Sequence, residues 1–306
     1  MFRTSWLLLR AQRTPLSSQN PSFSPQRLLK ATLFTAGVGC TTYTVAAVLE
    51  HNRVKKIKRD AQRFFSDFSA NGVFGKMQRM DHHRPQLSNG QKTALAFIGV
   101  NTLVFLAWRI PKLQATMYRY FTNSLISRSL CAPMVLSVFS HNNFVHLALN
   151  MYVLYSFCPV SIDRFLGVEQ FVALYLTAGA VSSLTSLVQK FATRSNLRAL
   201  GASGAICTLL AYTCMKIPDA RLSIIFLPFF QFSAQQAIYG LIAFDLLGLI
   251  FRFRMFDHAA HLGGTLFGVW YAAYGEHMVR HRFNPLIHKI QHKFEEGQQM
   301  YEYLDR

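Results

Sequence analysis

Four stretches of the chain, 170–189, 199–215, 222–244 and 259–275, carry no charged side chain. A helix needs roughly 20 apolar residues to cross a hydrocarbon core about 30 Å thick. These stretches therefore predict membrane-crossing helices. The alternative, buried helices of a soluble protein, fits poorly, because a 306-residue soluble domain seldom needs so many charge-free runs. Reading outward from them predicts seven spans: 31–49, 93–108, 144–160, 170–189, 203–215, 235–251 and 256–275. The first is rich in Thr, Gly and Ala and only moderately hydrophobic. The second ends at Trp108 and Arg109, an interfacial anchor pair, ahead of Pro111. Between the second and third spans lies a long connection, 109–141, with an apolar patch at 130–139. Pro228 interrupts 222–244, so its first half is expected to be a loop that dips into the protein. The fold class is thus all-α and polytopic.

Charge changes this picture at the ends. Net charge is +18, from 32 Lys+Arg against 14 Asp+Glu. Such an excess suggests nucleic acid as a partner, but its distribution argues against one. Residues 1–49 hold no acid, and arginines punctuate a Ser-, Thr- and Leu-rich stretch, the composition of a mitochondrial presequence. Residues 53–92 hold ten Lys/Arg against Asp60, Asp67 and Asp81, which fits a membrane-flanking segment facing anionic lipid. The expected organisation is a presequence over 1–30, an extra transmembrane helix over 31–49, a basic connector over 50–92 with amphipathic character at 61–68, a core over 93–275 and a polar tail over 276–306. Seven spans put the termini on opposite sides. Presequence import and the basic connector each favour the matrix, and both cannot lie there if 31–49 crosses the membrane. Cys40, Cys131, Cys158, Cys207 and Cys214 form no CxxC pair, so neither a disulfide framework nor a thiolate zinc site is expected.

The chemistry lies inside the apolar sequence. Gly201-Ala202-Ser203-Gly204 opens the fifth span, and His261 lies in the seventh. A hydroxyl and an imidazole are costly in hydrocarbon unless they are paired or face a wet cavity. His261, Gly264 and Gly268 are spaced i, i+3, i+7 and share a helix face. The glycines let another backbone approach closely, and the natural partner is the turn with Gly201 and Gly204. That approach brings the Ser203 hydroxyl near the His261 ring. Serine becomes a nucleophile when a base takes its proton. The oxyanion that follows needs fixed donors, and a helix start such as Ser203 offers free N–H groups. His146 and Asn150, four apart on one face of the third span, can add side-chain donors; taken singly, each also reads as interhelical hydrogen-bonding glue. Asp245, an acid inside the sixth span, is a functional candidate by position, though a structural hydrogen bond or a neutral protonated form facing the interior is the simpler expectation.

These blocks, His141-x4-His146-x3-Asn150, Gly201-x-Ser203-Gly204 and Ala260-His261-x2-Gly264-x3-Gly268, resemble the rhomboid intramembrane serine proteases in content and order. The resemblance covers roughly 93–275. Asn150-Met-Tyr-Val-Leu-Tyr, Leu200-Gly-Ala-Ser-Gly-Ala-Ile and Phe256-Asp-His-Ala-Ala-His-Leu-Gly-Gly look like the mitochondrial, presenilin-associated rhomboid-like branch of the inner membrane, which carries one helix before the six-helix core (1+6). The resemblance implies Ser203 as nucleophile and His261 as general base and acid. It implies His146, Asn150 and the Ser203 N–H as the oxyanion site, with Gly201, Gly204, Gly264 and Gly268 in support. His141 is expected near the water-accessible mouth, and water is expected to reach Ser203 past His141, His146 and Asn150. His258 reads as structural. No acid is required. Cys207 stands where many bacterial members carry a tyrosine packed on the histidine, so support for the His261 ring must come from elsewhere. The implied activity is cleavage in or beside transmembrane helices of mitochondrial proteins, with roles in quality control, dynamics and apoptosis. The expected partners are single-pass transmembrane substrates, the lipid bilayer and inner-membrane scaffold proteins, with no nucleic acid, metal or cofactor. Three rival readings fit the sequence less well. A silent client-binding relative loses the serine or histidine, and both are present. A metal enzyme lacks HExxH, HxxHH and a carboxylate set. A transporter relay leaves the GxSG turn unexplained.

Overall fold

The computed structural model describes residues 23–71, 86–224, 227–253, 255–290 and 292–293. Most of the expected presequence, the end of the connector and the end of the tail lie outside the described residues. Seven long helices form the bundle: α1 (Pro25–Asn71), α2 (Asn89–Ala107), α3 (Phe144–Ser161), α4 (Gly167–Ala192), α5 (Ser203–Lys216), α6 (Ala234–Ile250) and α7 (His258–Trp270). Local signals set their starts. Ser88 with Gln91 and Ser233 with Gln236 make reciprocal capping boxes at α2 and α6. Asn143 caps α3 by accepting from the His146 N–H, and Asp257 caps α7 by accepting from that of Ala260.

The chain is a mostly helical, polytopic membrane protein. Pro25–Arg63, Asn89–Ala107 and the run Phe144–Ala192 are long and apolar enough to cross a membrane. That last run is 49 residues, far more than one crossing needs. It divides at a π-helical turn, Ile162–Leu166, where Gly167 takes φ +75°. Outward-facing leucines and valines such as Leu103, Val145 and Leu33 are more than half exposed, as lipid-facing positions are. The core lies between α3, α4 and α5, around Leu154, Phe171, Leu174, Leu209 and Tyr212.

The first part of the expected basic connector is helical: α1 runs on for 47 residues, about 70 Å at 1.5 Å per residue, longer than a bilayer is thick. Its middle is tied to the core by Arg53 with Glu169 (2.8 Å) and by Glu50, which accepts from Gln170 and Asn284. One expectation needs correction: the segment before α6 does not dip into the protein. It forms an antiparallel hairpin, β1 (Arg221–Ile224) and β2 (Leu227–Ser233), with Phe229 97% exposed.

α5 is the shortest route to the site. Its 14 residues span about 21 Å, less than the hydrocarbon thickness. Lys216, at its last residue, pairs with Glu276 (2.7 Å), and Ser203 stands at the opposite end of the helix.

Candidate active site

Ser203 is placed by the turn before it. Gly201 takes φ +134°, a backbone conformation closed to residues with a Cβ. The ring of His146 fills the space a Cβ would need, its Cε1 2.8 Å from that position. The Gly201 N–H donates to the Ser137 carbonyl (2.9 Å), and Asn123 and Ala199 exchange backbone bonds of 2.7 and 2.9 Å. The approach to Ser203 is therefore pinned to the segment after α2. As the first residue of α5, Ser203 has no intrahelical acceptor for its own N–H.

Close approach of α5 and α7 sets the pair. A Cβ on Gly264 would lie 2.1 Å from the Gly204 carbonyl oxygen, and one on Gly268 would lie 2.4 Å from that of Thr208. On the other side of α5, Gly204 faces Ser182 of α4, 2.5 Å from its own absent Cβ. The Thr208 hydroxyl donates to the Gly264 carbonyl (2.7 Å). This packing brings Ser203 Oγ to 2.7 Å from His261 Nε2, within hydrogen-bond distance. Both residues are partly exposed.

The remaining site residues fall into two groups. His146 flanks Gly201 beside the serine. Asn150, four residues on, is buried, and its Nδ2 donates to the His146 carbonyl (2.8 Å) of its own helix, so one amide hydrogen is already committed. His141 does not line a water-accessible mouth. It is fully buried, and its Nε2 accepts the Ala202 N–H (3.3 Å). Burial, reinforced by the neighbouring His146, pushes the His141 imidazole down to about 3, so it stays neutral and acts on the turn. The water route expected past it does not follow that side chain.

Asp245 makes the interior hydrogen bond that the sequence reading expected, to His258, and also lies near a second histidine that the reading did not name. It is buried on α6, with Oδ1 2.8 Å from His258 Nδ1 and 3.5 Å from His261 Nδ1. The signal was available: a lone carboxylate inside an apolar span. Support for the His261 ring, absent from Cys207, comes from this side and from Phe256, whose ring centroid is 6.0 Å away. At the start of α7, buried Lys190 and Ser186 on α4 hold Asp257 (3.1 and 2.5 Å), which fixes the helix carrying His261. Among the described residues, no three His, Cys, Asp or Glu side chains converge as metal ligands. Such an arrangement can take a proton from serine and return it; it offers no cage for a cation.

Residues 128–277 match the family model described as Rhomboid domain. The chain is 45% identical over 282 residues to the presenilin-associated rhomboid-like protein, mitochondrial, of Homo sapiens, covering 89% of this chain and 73% of that protein. Identity to the presenilin-associated rhomboid-like protein A, mitochondrial, of Danio rerio is 40% over 290 residues, with 87% and 76% covered. Rhomboid protein 1, mitochondrial, of Saccharomyces cerevisiae is 33% identical over 181 residues, with 58% and 52% covered. With its three motif blocks inside the matched segment and relatives of this likeness along most of its length, the chain belongs to the rhomboid family, alongside the family's mitochondrial members.

Proposed function

We propose that this protein is an intramembrane serine endopeptidase of the mitochondrial inner membrane, crossing it seven times, with 93–275 as the protease core. The observation that carries the reading is the 2.7 Å contact between Ser203 Oγ and His261 Nε2 at the partly exposed start of α5. Nε2 takes the hydroxyl proton as Oγ attacks the substrate carbonyl carbon. The negative charge moves to the carbonyl oxygen, which the Ser203 N–H, the His146 ring and the remaining Asn150 amide hydrogen stabilise. The imidazolium then gives its proton to the leaving amine, and the C–N bond breaks. Water, deprotonated by the same ring, releases the acyl group and restores Ser203.

Substrates follow from the location. Backbone carbonyls of an intact membrane helix are hydrogen-bonded and shielded, so the scissile segment must unwind. Single-pass helices weakened by Gly or Pro are the substrates this site fits, and a role in mitochondrial quality control, dynamics and cell death goes with that class. The test uses the full chain in proteoliposomes with two single-pass peptides, one Leu-rich and one carrying a Gly-Pro break at the same depth. The broken helix is expected to be cut at least about tenfold faster, with no cut by Ser203→Ala. Cleavage that persists in Ser203→Ala contradicts the reading, as does a preference for the unbroken helix.

A further inference from the structure

Asp245 is the costliest side chain in the bundle that the proposed chemistry leaves unused. It is 1% exposed inside an apolar helix, where a carboxylate needs partners. Among the described residues its ion-pair partners are two histidines one turn apart on α7, His258 and His261. The His258 side is closely built. That ring lies against the backbone of α6, where a Cβ on Gly248 would come within 2.4 Å of it, and Phe244, Phe253 and Phe256 surround it with centroids 5.2 to 6.1 Å away. The second carboxylate oxygen, Oδ2, is buried without a partner. A carboxylate needed only to staple α6 to α7 is satisfied by His258. This one also holds an oxygen 3.5 Å from the Nδ1 of the histidine that touches Ser203. That distance is longer than a hydrogen bond, but such contacts in unliganded sites shorten when the ring becomes charged.

We propose that Asp245 is a positioning residue for His261: held from behind by His258, its carboxylate keeps the His261 proton on Nδ1, turns Nε2 toward Ser203, and balances the charge the ring gains in acyl transfer. The proposal rests on the reading of Ser203 and His261 as nucleophile and base. It adds an acid to a pair that was expected to work without one. Proton transfer stays within the pair.

The experiment uses the full chain in proteoliposomes and a fluorophosphonate probe, which loses fluoride as Ser203 Oγ bonds to phosphorus. Asp245→Asn is expected to slow labelling on the order of 10²-fold, through the labelling step and not through probe binding, and Asp245→Glu is expected to recover part of that loss. Asp245→Asn labelled at the wild-type rate, while His261→Ala is not labelled, overturns the role of Asp245 alone. Wild-type protein that is never labelled at Ser203 overturns the underlying reading instead. If Asp245→Asn does not fold, solid-state NMR of ¹⁵N-histidine wild-type protein decides the matter. The His261 ring, assigned by its loss in His261→Gln, is expected as the Nδ1–H tautomer. The Nε2–H tautomer overturns the proposal.

Discussion

His141 carries no exposed surface, and its one hydrogen bond to the turn, through Nε2, requires the neutral ring. Burial and His146 hold it down to about 3, whereas an unfolded histidine titrates near 6.5. Between those values the unfolded chain binds a proton that the folded chain refuses. Stability therefore rises with pH across that window and is lost as pH falls through it. In detergent micelles, the melting temperature of the wild type is expected to drop more steeply from pH 6.5 to pH 4 than that of His141→Asn. Equal slopes contradict a neutral buried His141. At this scale the sequence showed which residues matter better than where they point. A histidine five residues before His146 reads as part of a wet mouth. The carbonyl and amide pattern of the preceding loop, which sequence does not display, makes it a turn support. Asp245 was visible as a carboxylate in an apolar run, but its two histidine partners depend on how α6 meets α7.

At the scale of elements, the spacing of small residues was the most legible feature. Gly264 and Gly268 on α7 lie against the backbone of α5 as the i, i+4 stripe requires. A methyl on Gly264 meets a carbonyl oxygen that is part of a helix and cannot step aside. Gly264→Ala is expected to part α5 from α7, lengthen the Ser203–His261 contact, cut labelling of Ser203 by at least about tenfold and cost about 1–3 kcal/mol. Gly99→Ala, where nothing lies within 4 Å of the new methyl, is expected to be neutral or to gain up to about 1 kcal/mol. Equal effects of the two variants on labelling and melting contradict close packing at Gly264. Two elements were not legible. The far half of α1 is dense in Lys and Arg, with amphipathic character only at 61–68, so its helicity comes from continuity with the span before it and from contacts with α4 and the segment after α7. The hairpin β1–β2 exposes Phe229 and Phe230, and such a run reads as buried when only its composition is known.

Across the whole molecule, the end of α1 near Phe23 lies on the side of the Ser203 turn, since Arg27 donates to the carbonyls of Leu125 and Ser127. Its middle meets Asn284 beyond α7, at the other end of the bundle. The described ends of the chain therefore lie at opposite ends of the bundle. Between those ends, α5 is shorter than a hydrocarbon core is thick, and the Ser203–His261 pair stands at its first residue, where α3, α5 and α7 meet. The measurement that bears most directly on this arrangement is mass spectrometry of the full chain after treatment with a fluorophosphonate in lipid. A covalent adduct on Ser203, and none when His261 is replaced by alanine, is the expected result. An adduct that forms equally well without His261, or none on Ser203 in folded wild-type protein, contradicts it.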